Sequence, residues 1–223
     1  MNDLGLLSTL ADLEALLAEL GHGKSLLFRG VQDSRYQLVP SIGRRTLIGD
    51  SSPTRVEKRI LRLFKESALP HLGFTPRTDW EWLAVAQHHG LPTRLLDWTT
   101  NPLVAIYFAT EFPHEGSSRI FVYSGRETVD QDARPDPFSV RSVLRFRPPH
   151  LDSRVIAQGS TFTIHPSPRS PFDSKDVSYV DIPLASRRDL RRKLFKIGVS
   201  RKTLFPGLDG LAQDLDWLHT DRH

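Results

Sequence analysis

The chain contains no cysteine and a single methionine in 223 residues. Disulfides and thiolate metal centres are therefore excluded, and a reducing, cytoplasmic setting is expected. No window approaches the apolar length that a membrane helix needs. No basic segment followed by an apolar run marks a secretory leader, so no membrane partner is expected. Neither sign of charge dominates, since 30 Lys and Arg oppose 26 Asp and Glu for a formal net charge of +4. Basic residues nevertheless cluster at Arg44-Arg45, from Arg55 to Arg62 and from Arg187 to Lys202. Each cluster reads either as a solvated face or as a surface for nucleic acid or another polyanion.

Internal repeats and low-complexity linkers are also missing, so one domain over 1–223 is expected. It divides into an N-terminal helix over 1–22, a core over 24–165 and a C-terminal helical part over 166–223. Helical spacing runs over 8–20 and 54–69, where Thr54 and Glu57 have capping-box spacing and Val56, Ile60, Leu63 and Phe64 form one face. Thr78 and Glu81 repeat that box before a helix stopped by Gly90. Strands are expected at Ser25–Val31, Thr93–Trp98, Arg119–Ser124 and Ser139–Arg145, with a strand pair over Val155–His165 broken at Gly159. Helices return near 186–197 and from Leu208 to Leu218. Helices come early and strands later, which predicts an α+β fold: helices packed on a mixed, mainly antiparallel sheet.

The densest collection of hydrogen-bonding groups is Gln87-His88-His89-Gly90-Leu91-Pro92-Thr93-Arg94-Leu95-Leu96-Asp97-Trp98-Thr99-Thr100-Asn101-Pro102. Either it is a polar network fixing a turn or it lines a site. His88 and His89 point about 100° apart on a helix and cannot share a metal as an i, i+4 pair does, so no metal is expected. Arg94 and Asp97 fall on opposite faces of a strand and need separate partners. Asp97 either caps the turn through Thr99 or Thr100 or pairs with Arg29. Thr99-Thr100-Asn101 ahead of Pro102 suits a helix N-terminus, with Asn101 as its cap and backbone N–H groups open to an anion. Arg29 sits in a strand as Phe28-Arg29-Gly30. It is either an edge-strand arginine paired with Asp33 or a guanidinium presented to phosphate or ribose oxygens. Gly30 lets a ligand or another backbone come close. Gln158, beside Gly159, either reaches a ligand or marks a bulge.

Together Phe28-Arg29-Gly30, the Gln87–Thr99 block, Asn101-Pro102-Leu103 through Tyr107-Phe108-Ala109, Ala157-Gln158 with Thr161-Phe162-Thr163, and Leu204 to Ala212 resemble the FRG domain family. That family is bacterial and phage-associated. A looser resemblance, to ADP-ribosyltransferases, rests on the order Arg29, Thr99-Thr100-Asn101, Ala105 and Tyr107, then Gln158. It implies a split sheet with NAD as substrate. Arg29, Gly30, Arg94, Asp97, Thr99, Thr100, Asn101 and Gln158 would hold the NAD, while Arg29, Tyr107, Gln158 and His88 would serve catalysis. It further implies a nucleic-acid or protein acceptor, a toxin or anti-phage role and a neutralising partner protein. One departure is that no glutamate stands near Gln158. The alternative is a non-catalytic module that binds nucleic acid or a nucleotide.

Overall fold

The computed structural model describes residues 1–21, 25–49, 52–148 and 153–220. Helix α1 (Leu10–Leu20) begins at Thr9, which forms a reciprocal capping box with Asp12, and it stops at Gly21 with φ of 83°. Helix α2 (Pro53–Ala68) departs from the expected box. Ser52 is its cap and Pro53 its first residue, so Thr54 and Glu57 lie inside the helix and turn inward instead. Glu57 is fully buried on that face with Leu61 and Ala68, whereas Leu63 is 46% exposed. The apolar face therefore differs from the one the spacing predicts. Helix α3 (Asp79–His88) has half of its box: the Thr78 hydroxyl accepts from the Glu81 N–H, but the Glu81 carboxylate accepts from Arg77.

Helix α4 (Pro102–Thr110) is capped by Asn101, whose side chain accepts from the Leu103 N–H at 2.9 Å. It is apolar all round because it is buried nearly all round, with Val104 to Tyr107, Ala109 and Thr110 all inaccessible. After it come α5 (Ser153–Ala157), α6 (Leu184–Lys196), α7 (Arg201–Leu204) and α8 (Leu208–His219).

Among the described residues, seven strands form one mixed sheet: β1 (Asn2–Leu6), β2 (Leu27–Val31), β3 (Leu95–Thr99), β4 (Ser118–Tyr123), β5 (Leu144–Phe146), β6 (Ser160–Ile164) and β7 (Val177–Ile182). Their order is β1-β7-β4-β2-β3-β6-β5, antiparallel throughout except for β1 with β7. The fold is α+β, as the element order implied. Three local expectations fail. Strand β5 is only three residues, with Pro137–Ser139 a 3₁₀ turn ahead of it. Val155 lies in α5, so β6 alone remains of the expected strand pair. The regions read as helical at both ends also contribute β1 and β7.

The packing divides the sheet. On the side of β2, β4 and β7, a core of Phe28, Ile120, Val122, Val180 and Ile182 meets α1, α4 and α6. On the side of β3, β5 and β6, Leu95, Leu144, Phe146, Phe162 and Ile164 meet α2 and α3. Strands β2 and β3, where the halves meet, share one register pair, Phe28 opposite Thr99. By contrast, β2 pairs with β4, and β3 with β6, at five positions each. The sheet opens at this junction. A third cluster, including Leu27, Leu96, Trp98 and Phe121, spans the junction on the opposite face.

Candidate functional site

At the β2–β3 opening lies a cleft of about 750 Å³. Gly30 shows why it takes this shape. A Cβ on Gly30 would stand 1.8 Å from the Ala105 carbonyl oxygen and 2.7 Å from the Ala109 N–H nitrogen. Of the two readings of this glycine, backbone approach is the one observed: α4 rests directly on β2. Strand alternation turns Gly30 and Asp97 to the same sheet face as the paired Phe28 and Thr99. Asp97 in turn is held by α3, because Gln87 Nε2 donates to Asp97 Oδ2 at 2.9 Å. Helices α4 and α3 therefore flank the opening, one on each half of the sheet. Gln87 is fixed from its other end, where its Oε1 accepts from the Thr93 hydroxyl at 2.6 Å.

Arg29 bridges the gap between the strands. Its Nη1 donates to the Asp97 carbonyl at 2.7 Å and lies 3.6 Å from the Asp97 carboxylate. The alternative partner, Asp33, is occupied by Arg35. Nor is β2 an edge strand, since it lies between β4 and β3. Burial, with Arg44 nearby, holds the Arg29 guanidinium below the usual arginine range, and Asp97 opposes that shift. The Asp97 side chain is 56% exposed and so faces the cleft mouth. It does not cap the turn. Thr99 has that task, donating to the Gln158 carbonyl at 2.6 Å and accepting from the Asn101 N–H at 3.0 Å.

Arg29, Gly30, His88, Asp97, Thr99 and Gln158 all line the cleft, together with Arg44, Phe108, Glu111 and Arg154. Four residues expected at a ligand do not line it. Arg94 is 1% exposed and belongs to the buried framework: its backbone N–H and Nε both donate to Glu57, and its Nη2 donates to Thr54. Thr100 and Asn101 are exposed at the start of α4, and the N–H groups expected to greet an anion are taken. Thr100 N–H bonds the Gly159 carbonyl, Asn101 N–H bonds Thr99 and Leu103 N–H bonds Asn101. Tyr107 is fully buried and faces α6, with Arg191 3.8 Å from its ring centroid and donating to its hydroxyl. One residue on, about 100° round the helix, Phe108 is the aromatic that α4 brings to the cleft.

Gln158 sits in the turn between α5 and β6 rather than in a strand, and its Nε2 donates to the Leu204 carbonyl at 3.0 Å. The residue the sequence reading missed is Glu111. It stands just past α4, lines the cleft, accepts from the Tyr107 hydroxyl and pairs with Arg201. Among the described residues, no group of three or more His, Cys, Asp and Glu side chains is arranged to hold a metal ion. None of the described helices is long and apolar enough to cross a membrane.

A family model for the FRG domain matches residues 24–118. Those residues are an FRG domain. No curated protein and no solved structure matches the chain significantly. The matched segment supplies Arg29, Gly30, His88, Asp97, Thr99, Phe108 and Glu111, whereas Arg154 and Gln158, which also line the cleft, lie beyond it.

Beneath the FRG motif lies His165, 2% exposed, whose Nε2 is 2.8 Å from the Thr163 hydroxyl, which in turn accepts from the Trp98 indole N–H. Burial, reinforced by the charge of Arg29, pushes its pKa down to about 3 from 6.5. In the unfolded chain His165 takes up a proton below about pH 6.5, but in the folded chain only near pH 3. Its contribution to stability is thus complete above pH 6.5 and lost as the pH falls through that window, at up to about 1.4 kcal/mol per pH unit. Urea unfolding of wild type and His165→Gln, compared at pH 7 and at pH 4.5, should show the variant losing much less on acidification. Equal losses would contradict a buried neutral imidazole.

Proposed function

We propose that this FRG-domain protein binds NAD in the cleft and transfers its ADP-ribosyl group to a nucleic-acid or protein acceptor, releasing nicotinamide. The observation that carries this reading is the opening between β2 and β3, where one cleft of ligand size gathers Arg29, His88, Asp97, Gln158 and Glu111. Arg29 offers its guanidinium to phosphate or ribose oxygens. Phe108, the aromatic of α4 that lines the cleft, stacks on the nicotinamide in place of the buried Tyr107. In the reaction the C1′–N bond breaks with its electron pair leaving on nicotinamide, and the acceptor bonds to C1′ as its proton passes to a base. Carboxylates in the cleft stabilise the oxocarbenium-like state between those events. Glu111, which lines the same cleft as Gln158 although distant from it in sequence, is the carboxylate best enclosed to do so.

The alternative, a non-catalytic nucleic-acid module, rested partly on the basic helix now seen as α6. Two of its arginines, Arg187 and Arg191, are buried inside the protein, which weakens that face as a phosphate surface. Exposed Lys196, at the end of α6, serves as the control on that face. With labelled NAD and RNA, DNA or lysate, the wild type and Lys196→Ala are expected to release nicotinamide and transfer label, and Arg29→Ala to lose both by roughly 100-fold or more. Salt-sensitive nucleic-acid binding without turnover would favour the alternative.

A further inference from the structure

Helix α6 packs two arginines into the protein without giving either a salt bridge, although the Glu111 and Asp214 carboxylates act on Arg191 at longer range. Arg187 is 6% exposed and donates to main-chain carbonyls of Phe112, His114 and Gly116. Arg191 is 8% exposed; its Nη2 donates to Tyr107, while its Nε and Nη1 are buried and bond nothing. Among the described residues no carboxylate forms a salt bridge with either one. Both arginines line a pocket of about 250 Å³, separate from the cleft except that Glu111 borders both. The exposed Arg188 and Arg192 line the same pocket, and Trp217 forms part of its wall. Glu111, the one carboxylate on the lining, is already engaged by Arg201 and by the Tyr107 hydroxyl.

Four arginines therefore line a small hollow whose one lining carboxylate, Glu111, is already paired with Arg201. Buried cations without a partner are costly, and the cost is removed when an anion supplies the missing charge. Planar guanidinium groups match the oxygens of a phosphoryl group two at a time, which a compact ammonium cannot do. We propose that this pocket is a second binding site, for a phosphoryl oxyanion. Arg188 and Arg192 take it from solvent, and Arg187 and Arg191 provide the fixed positive field beneath. Arg191 lies against Tyr107, whose hydroxyl donates to Glu111, so occupancy of this pocket reaches the cleft through Glu111, which borders both.

The test is thermal unfolding of the full chain at fixed ionic strength, with added inorganic phosphate in one arm and an unphosphorylated single-stranded oligonucleotide in the other. Wild type and Arg29→Ala should both melt higher with phosphate, and the double variant Arg188→Gln/Arg192→Gln should lose most of that shift. Both substituted arginines are exposed, so the double variant is expected to keep the wild-type melting point without ligand. A shift with the oligonucleotide alone, lost in the same variant, assigns the site to backbone phosphodiesters and still supports it. No shift in either arm overturns the proposal, as does a shift the double variant retains. A shift lost only in Arg29→Ala would also overturn it, by assigning the phosphate to the cleft; the NAD reading itself stands or falls on turnover.

Discussion

Replacing Glu57 with alanine is expected to destabilise the fold by about 3–5 kcal/mol, because it strands a buried guanidinium. Glu57 and Arg94 side chains are each 1% exposed. The carboxylate accepts from the Arg94 backbone N–H at 2.6 Å and from its Nε at 2.9 Å, and the guanidinium lies 4.6 Å from the Phe138 ring centroid. Burial pushes the Glu57 carboxyl up, and Arg94 opposes it. The pair fastens α2 to the residue that leads into β3, and so it sets where Asp97 and Thr99 arrive. Urea unfolding should show the single variant far weaker than wild type. The double variant Glu57→Leu/Arg94→Met should recover part of the loss, because an apolar pair leaves no charge buried alone. A Glu57→Ala variant within about 1 kcal/mol of wild type would show that the pair is not what anchors β3.

Gly30→Ala carries the other large effect, and it acts on fold and cleft together. The added methyl would meet main-chain atoms of α4, at 1.8 Å from the Ala105 carbonyl oxygen, and no flexible side chain is there to yield. Either α4 moves off the sheet or β2 shifts, at a cost of about 3 kcal/mol or more. Since α4 carries Phe108 and ends beside Glu111, a protein that still folds should bind cleft ligands much more weakly. Chemical denaturation with ligand titration on the same sample separates the two effects. A variant with wild-type stability would mean that α4 does not rest on β2 as described.

Much of the helical framework was legible because caps and apolar spacing are local: Asn101 and Pro102 open α4, and Gly21 ends α1. The failures share a cause, which is that the deciding partner lies far along the chain. Strand β7 contains Asp181, whose charge reads as loop until Arg119 of β4 pairs with it at 2.7 Å. Strand β1 is short, and among the described residues its ladder is with β7, whose partners lie 175 or 176 residues on. Glu57 had the spacing of a cap and is instead the partner of Arg94, 37 residues on. Of the site, the convergence of Arg29, Asp97, Thr99 and Gln158 followed from motif order. Tyr107 and Phe108 could not be told apart without knowing which side α6 covers. Glu111 gave no signal at all: it follows an apolar helix, and only Arg201 and the cleft geometry give it meaning.

The β2–β3 opening as a ligand site is tested most directly by determining the structure of crystals soaked with NAD. The expected result is density for the dinucleotide along the opening, with an oxygen of the ligand within hydrogen-bond distance of the Arg29 guanidinium and Gln158 at the same wall. Crystals that bind NAD elsewhere, or that leave this cleft empty at saturating NAD, would contradict it.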